Sequence, residues 1–466
     1  MKIFRCFLDW LLLVFIALLP LKFTMVTGIT AMPSSYWGDL SSLIYSGWSP
    51  HLFALTSALL LLLSASELFL RASFSEKSIR EPVPSSFRTF LALWIALSAF
   101  CMTGIIQASC REAAVQMLDY FLALGCFAGT IYLALLRDKS IVGKMLTALT
   151  VGAILSAFTG LEQVISGLRE LREYAASASI YGEINDKLKS QINSDRIIGT
   201  FPICNLYAGF LAAILPLLIA NVWHWAGERV KPPLPAQILL AVFFGAFFCI
   251  PLWLTGSRGA VLALAAGLAG TVFFLLHPGK ERRCFYGVVL AAAVLIGLLI
   301  FMKRGTESIR FRIDYDLAAV KMLWHNLLTG TGLGDFFYEY PQWKQLINDE
   351  TPRSPHNLPL FFGSQCGIAA FCAAIAVMLY PLLKGFRELL ARKMEGTDRK
   401  LLFRFAAPLA ALTILSFDML FEMGIESPAS ACSLILLAFA VLSELSIPPE
   451  RKAFATLTSP KDISLP

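Results

Sequence analysis

Four arginines and one histidine stand close to long apolar runs in this sequence. Arg258 lies between two such runs, in TGSRGA, and Arg196 precedes a third, in DRIIGTFPICNLYAGF. Arg310 and Arg312 belong to SIRFRIDYDL, and His356 opens the run HNLPLFFGSQCGIAAF. Guanidinium groups donate paired hydrogen bonds that match phosphate, and an imidazole titrates near neutral pH. These residue types therefore allow an anion to be bound and a proton to be moved at a boundary between water and hydrocarbon.

Each of these residues also has a purely structural interpretation. Arg258 can snorkel to lipid headgroups, and His356 can be a hydrogen-bonded histidine at the interface. The basic residues of 303–356 can solvate a helical cap and pair with the carboxylates around them. The residue types alone leave both interpretations open.

Helical spacing separates two of the arginines. Arg310, Asp314 and Leu317 share one face of a helix, whereas Arg312 and Asp316 lie on another. Only one of the two arginines can therefore point at a given site. The following segment GTGLGDF resembles a nucleotide-binding loop, but it comes after a helical pattern. Its glycines instead predict a tight turn between two helices of the cap.

The composition is that of a membrane protein. Of the 466 residues, 57% are hydrophobic and 15% are charged, and the mean hydropathy is +0.68. The 10 cysteines include no C-x-x-C pair, which argues against a structural zinc site or a disulfide framework. Apolar stretches of about 20 residues can each cross the hydrocarbon core as a helix. We therefore predict an all-α polytopic membrane protein with about 12 transmembrane helices, at 8–30, 43–70, 88–107, 113–136, 141–165, 203–225, 236–254, 259–277, 284–302, 357–383, 405–422 and 427–445.

The distribution of lysine and arginine predicts the orientation. The most basic loop, 384–404, falls on the same side as both termini and the tail 447–466, so that side is predicted to be cytoplasmic. The long loops 166–202 and 303–356 then lie outside, the second as a large helical cap. No separate soluble domain is evident, and 1–466 is predicted to be a single membrane domain.

Four blocks follow one another in a characteristic order: GTFPICNLYAGFLAAILPLL, TGSRGA, RFRIDYDLAAVKMLWHNLLTGTGLGDFFYEYPQW and HNLPLFFGSQCGIAAF. This ordered set, within a core at 196–375, resembles the O-antigen ligase and O-antigen polymerase superfamily. The sequence departs from the family pattern in two places. Leu328 stands where the pattern often has proline, and Ile203-Cys204-Asn205 replaces the usual N-P-N. The second departure leaves the role of that turn open.

The resemblance implies an inverting, metal-independent glycosyltransferase with a GT-C-like fold. Such an enzyme takes a glycan from undecaprenyl diphosphate and passes it to an acceptor hydroxyl, with no cofactor and no nucleic acid. Its partners would be the lipid-linked glycan, a lipid A–core or glycan acceptor, and membrane lipids. The expected location is a bacterial inner membrane, with the active site on the periplasmic face.

The resemblance also assigns roles to the arginines and the histidine. Arg258, together with Arg310 or Arg312, would bind the diphosphate and stabilise the charge that develops as it leaves, with Arg196 as a further member. His356 would be the catalytic base that takes the proton of the acceptor hydroxyl, or would orient that hydroxyl.

Asn357 has a supporting role in this prediction, because it would cap the next helix or fix the ring of His356.

Three functional hypotheses remain in view. The first is an O-antigen ligase that delivers to lipid A–core in lipopolysaccharide biosynthesis, and the second is an O-antigen or exopolysaccharide polymerase. The third, from another class, is a polysaccharide transporter or flippase. A transporter would show charged side chains within its spans, and the candidates are Asp9, Lys22, Asp119, Glu162, Asp418, Glu422 and Glu426.

Overall fold

A computed structural model describes most of the chain, namely residues 2–21, 48, 50–74, 84–167, 169, 195–230, 232–275, 307–345, 348, 350–395 and 399–444. Every regular element in these ranges is helical. The α-helices, in chain order, are α1 (Lys2–Leu18), α2 (Pro50–Phe74), α3 (Ser85–Cys101), α4 (Thr103–Gln107), α5 (Arg111–Arg137), α6 (Ile141–Glu162), α7 (Cys204–Trp225), α8 (Leu234–Leu254), α9 (Arg258–Leu275), α10 (Glu307–His325), α11 (Phe336–Trp343), α12 (Leu358–Cys366), α13 (Ile368–Met394), α14 (Arg399–Asp418) and α15 (Pro428–Glu444).

Seven helical stretches among the described residues are long and apolar enough to cross a membrane, which makes this an integral membrane protein. They lie in α2, α3 with α4, α5, α6, α7, α8 and α13, and shorter apolar helices lie in α9 and α15. The predicted span 284–302, most of the loop 166–202, the tail 447–466 and parts of the spans 8–30, 43–70 and 259–277 lie outside the described residues. The count of about 12 spans and the GT-C-like arrangement therefore stay predictions.

One predicted span is in fact two helices. The run 357–383 is interrupted at Gly367, whose φ of 87° and ψ of −179° end α12 and allow α13 to start in a new direction. Only glycine adopts this conformation readily, because it has no Cβ. A Cβ there would lie 2.3 Å from the carbonyl oxygen of Leu328. The apolar residues of α12 are buried in protein and do not face lipid, since eight of the nine residues of this helix are buried.

The cap consists of α10, which packs on α12, and α11, which packs on α10. Gly330, Gly332 and Gly334 all have positive φ angles and form the tight turn that the sequence predicts between the two cap helices. Inside the cap, the Asp314 carboxylate accepts hydrogen bonds from the Tyr340 hydroxyl at 2.6 Å and from other groups nearby. A buried polar network of this kind fixes α11 against α10.

The ends of the helices opposite the cap carry a second set of charges. Arg137, at the end of α5, has an almost fully buried side chain that pairs with Asp9 of α1 at 3.2 Å and with Glu67 of α2 at 3.8 Å. Arg5 also pairs with Asp138 at 2.9 Å. These contacts tie the ends of three helices together, and they give Asp9 a structural partner.

Candidate active site beneath the cap

Two predicted site residues meet at a third, buried residue. Glu422 lies in the turn after α14, and its side chain is 3% exposed. Its Oε1 accepts a hydrogen bond from Nη2 of Arg312 on the cap helix α10, and its Oε2 lies 3.4 Å from Nδ1 of His356. Arg312 also donates through Nη1 to the carbonyl oxygen of Phe421 at 2.9 Å. The carboxylate therefore binds the guanidinium and lies next to the imidazole.

The structure distinguishes the two arginines of α10. Arg312 reaches Glu422 and keeps 30% of its side chain exposed, whereas Arg310 is exposed on another side of the helix. This difference follows from helical spacing, which places the two residues on separate faces. The role of Arg310 in diphosphate binding stays a prediction that no contact of the described residues supports.

His356 occupies a strained position just before α12. Its φ of 56° is one of two positive values among the described non-glycine residues, and the other belongs to Asp195. Such backbone strain is retained where the surrounding structure enforces it, often at functional sites. The ring lies 5.9 Å from the ring of Tyr315, and 29% of the side chain is exposed.

Asn357 is the N-cap of α12, which is the capping role that the sequence predicts. Its Oδ1 accepts a hydrogen bond from the backbone N–H of Leu360 at 3.2 Å. An N-cap of this type satisfies one of the free N–H groups in the first turn. The cap fixes the chain immediately after His356, and a role for Asn357 in the reaction stays a prediction.

Arg196 joins the cluster through the turn whose role the sequence left open. Its Nη2 donates to Oδ1 of Asn205 at 2.6 Å, and Nδ2 of Asn205 donates in turn to Oε1 of Glu422 at 2.7 Å. Nε of Arg196 donates to the carbonyl oxygen of Thr255 at 2.5 Å. Much of the donor capacity of Arg196 is thus used within the protein. The turn before α7 therefore places Asn205 between Arg196 and Glu422.

Arg258 starts α9, directly after the turn that Arg196 contacts. Gly256, in this turn, has a φ of 63°, and the hydroxyl of Ser257 accepts a bond from Ala260 N at 3.4 Å. A Cβ on Gly259 would lie 4.0 Å from Nη1 of Arg312. The S-R-G turn and the cap helix are therefore neighbours, and a role for Arg258 in diphosphate binding stays a prediction.

Burial raises the pKa of the carboxylates in this cluster, and neighbouring positive charges lower it. Burial alone would raise the pKa of Glu422, but the neighbouring His356 and Arg312 hold it below its usual value, which keeps this carboxylate ionised. Burial raises the pKa of Asp316 to about 6 and that of Glu426 to about 7, although His356 opposes both shifts. Near neutral pH, Glu426 is thus only partly charged, and Glu422 carries a full negative charge.

Two residues of this cluster were not among the predicted site residues. The sequence indicates Glu422 only as a candidate charged residue of a transporter, and Asn205 only as part of a departure from the family pattern. A signal for Glu422 existed, because Asp418, Glu422 and Glu426 recur every four residues at the end of an apolar run. Carboxylates at such a boundary are costly unless they have partners.

One family model matches part of the chain. Residues 240–375 match the family model of the O-antigen ligases. The match includes Arg258, Arg312 and His356, whereas Arg196, Asn205 and Glu422 lie outside it. No curated protein matches the chain.

The match confirms the resemblance to the O-antigen ligase and polymerase superfamily. It supports an enzyme of the type that transfers lipid-linked glycans, with the lipid-linked glycan and an acceptor as its substrates. Ligase and polymerase types share this domain, so the match does not separate them.

Proposed function

We propose that this protein is an inverting, metal-independent glycosyltransferase of the O-antigen ligase type. It moves a glycan from undecaprenyl diphosphate to a hydroxyl of lipid A–core at the outer face of the inner membrane. The observation that supports the proposal is the shared contact of Arg312 and His356 with Glu422, because a guanidinium of a type that binds phosphate then lies close to a candidate base. Both groups remain about one-third exposed, so a substrate can reach them.

The proposed reaction is a single displacement. The acceptor oxygen forms a bond to the anomeric carbon of the donor sugar, and the bond from that carbon to the diphosphate oxygen breaks. His356 takes the proton of the hydroxyl, while Arg312 and Arg258 stabilise the negative charge on the departing diphosphate. Because the hydroxyl attacks from the face opposite the leaving group, the configuration at the anomeric carbon inverts.

Glu422 orients the ring of His356 in this proposal. Nδ1 of His356 is buried against the ionised Glu422, and a proton on Nδ1 is favoured next to a carboxylate. The other ring nitrogen, Nε2, is then free to accept the proton of the substrate. A separation of 3.4 Å is long for a hydrogen bond, but catalytic hydrogen bonds often shorten when substrate is bound.

Arg196 has a supporting role in the proposal. Its bonds to Asn205 and to the carbonyl of Thr255 hold the S-R-G turn near Glu422. It therefore positions Arg258 and adds positive potential around the diphosphate.

A transfer assay with the purified full-length protein tests the proposal. The donor is an undecaprenyl-diphosphate-linked glycan, and the acceptors are lipid A–core in one reaction and a second lipid-linked glycan in another. His356→Asn is the informative variant, because asparagine tolerates a positive φ but cannot act as a base. His325→Asn, at the end of α10, is the matched control. Arg258→Ala tests the diphosphate site.

The outcomes separate the hypotheses. Transfer to lipid A–core that is lost in His356→Asn and Arg258→Ala, and retained in His325→Asn, supports the ligase and its mechanism. Longer lipid-linked products would show a polymerase instead. Glycan that crosses the membrane without a new covalent bond would show a transporter, and near-normal transfer in both variants would disprove the mechanism.

A further inference from the structure

One face of the cap helix α10 is apolar and exposed, and the proposed site does not use it. Its side chains recur every three or four residues, so they form one stripe along the helix and just beyond its end. Among the residues that the structure describes, nothing covers this stripe, which consists of Ile309, Ile313, Leu317, Val320, Trp324 and Leu328. Trp324 is 81% exposed. A row of large apolar side chains of this length is costly in water.

Two contacts place α10 beside the ends of other helices, one of which is a candidate membrane span. Near its beginning, Arg312 donates to the carbonyl oxygen of Phe421, just after the end of α14. Past its end, the carbonyl oxygen of Leu327 accepts a hydrogen bond at 2.8 Å from the N–H of Ile368. Ile368 is the first residue of α13, a candidate membrane span. Because a 19-residue helix is about 28 Å long and is held near both of its ends, α10 lies across these two helix ends and does not project away from them.

The chemistry of the stripe fits lipid better than a saccharide or water. Apart from Trp324, its side chains are aliphatic and offer no hydrogen bonds to the hydroxyl groups of a sugar. Two basic side chains, Arg310 and Lys321, are exposed along one edge of the stripe. Apolar side chains on one face with lysine or arginine beside them are typical of helices that lie in the membrane interface. Trp253, near the end of the span α8, provides a similar exposed tryptophan at 77%.

We propose that α10 is an interfacial helix whose apolar stripe is buried among the lipids of the leaflet on the cap side. Arg310 and Lys321 then lie at the depth of the lipid phosphates, and Trp324 lies near the glycerol groups, where tryptophan is favoured. Such a helix holds Arg312 at a fixed depth beside the headgroup layer. A lipid-linked diphosphate carries its charge at that depth. This last consequence rests on the proposed function, whereas the lipid contact does not.

Fluorescence quenching in nanodiscs tests the lipid contact directly. The full chain is placed in nanodiscs of phosphatidylcholine and phosphatidylglycerol, with or without bromine on the upper acyl chain, and iodide is the aqueous quencher. The chain has nine tryptophans, so the signal of Trp324 is the difference between the wild type and Trp324→Phe. The difference signal of Trp253→Phe shows how an exposed tryptophan on a span is quenched. That of Trp94→Phe shows how a buried tryptophan is quenched.

We expect brominated lipid to remove most of the Trp324 signal and iodide to leave it nearly unchanged. Quenching by iodide with no effect of bromine would show that the stripe faces water and would overturn the proposal. Protection from both quenchers would also overturn it, because the stripe would then be covered by protein, either from this chain or from a second copy. A signal that changes only when free glycan is added would show a saccharide site instead.

A cross-linking experiment at another position of the stripe gives an independent readout. In Leu317→p-benzoylphenylalanine, irradiation in the same nanodiscs should attach a phospholipid to the chain, detected as a mass increase. The same photoreactive residue in place of Phe336, which is fully buried in the cap, should give adducts to protein only. A protein adduct as the main product at position 317 would contradict the proposal.

Discussion

Nδ1 of His356 and Oε2 of Glu422 lie 3.4 Å apart, although the two residues belong to different parts of the chain. His356 comes directly before the N-cap of α12, with a strained φ of 56°, and Glu422 is buried in the turn after α14. Glu422 also binds Arg312, so one carboxylate contacts both groups to which the proposed reaction assigns a role. Substitution of Glu422 should therefore lower the rate of glycan transfer, although Glu422 itself does not touch substrate in the proposed reaction.

Glu422→Gln should lower glycan transfer strongly. The amide can still accept the bond from Asn205, but it loses the charge that fixes Arg312 and His356. A displacement of a reacting group by about 1 Å costs about 100-fold in rate, and we expect a loss of that size in kcat. The assay uses lipid-linked glycan and purified protein, with the amount of folded protein measured by size-exclusion chromatography.

Glu388→Gln is the matched control for this experiment. Glu388 also pairs with an arginine, Arg392, at 2.8 Å, but both lie on α13 in a segment predicted to face the cytoplasm. Its substitution should leave transfer close to the wild-type rate. Equal losses in the two variants would show that the effect of Glu422→Gln arises from general destabilisation.

The two arginines of α10 should differ in their effect on transfer. Arg312→Gln removes a donor beside the proposed diphosphate site, and the loss of one such donor typically lowers kcat by about 100- to 1,000-fold. Arg310→Gln, on another face of the same helix, should leave kcat in the assay close to the wild-type value. The pair is well matched because the residues are identical and two positions apart. A larger loss in Arg310→Gln would show that α10 is rotated in the working enzyme.

Asp316 should make the protein less stable at neutral pH than at acid pH. Burial raises its pKa to about 6 from the usual 3.8, so the folded state binds the proton more tightly than the unfolded state does. The stabilising contribution is complete below the unfolded pKa and is lost as the pH rises through 6. Asp316→Asn, which stays neutral, should therefore raise the melting temperature relative to the wild type at pH 7.5.

The pH dependence of that difference is the decisive measurement. Melting temperatures of the wild type and Asp316→Asn in detergent should converge as the pH falls from 7.5 to 4. A difference that does not vary with pH would arise from packing or hydrogen bonding instead. A lower melting temperature of Asp316→Asn at pH 7.5 would mean that attraction to His356 and Arg312 outweighs the cost of burial.

Features that depend on local pattern could be predicted from the sequence. The helical character follows from apolar stretches that can only be helical in lipid, and the cap turn follows from its glycines. Separation of Arg310 from Arg312 follows from helical spacing. The capping by Asn357 follows from its residue type before an apolar run.

Contacts between distant segments could not be predicted in this way. Arg312 and Glu422 are 110 positions apart, and their contact depends on how α10 packs across the end of α14. The sequence around Asn205 does not predict its position in the cluster, because that position depends on its contacts with Arg196 and Glu422. The break at Gly367 was also missed, because α12 is as apolar as a membrane span although it is buried in protein.

Tyr340→Phe should destabilise the cap. The buried hydroxyl of Tyr340 donates to Asp314 and accepts from Asn348 Nδ2, each at 2.6 Å. Its removal leaves buried polar groups without a partner, at a cost of about 1–3 kcal/mol. Tyr338→Phe is the control, because Tyr338 is exposed two positions earlier. The melting temperature in detergent should fall for Tyr340→Phe alone, and equal melting temperatures for both variants would contradict the network.

Gly367→Ala should disrupt the joint between α12 and α13, and with it the position of His356. Alanine at a φ of 87° and a ψ of −179° adds strain of about 1–3 kcal/mol. Its Cβ would also lie 2.3 Å from the carbonyl oxygen of Leu328, which belongs to the segment after α10. Either α13 or the end of α10 must move, so both the melting temperature and the transfer rate should fall. Gly143→Ala is the matched control, since a Cβ there meets no atom within 4 Å. If Gly367→Ala kept the stability and transfer rate of Gly143→Ala, then α12 and α13 would form one continuous helix in the membrane, and the placement of His356 beside Glu422 would lose its structural basis.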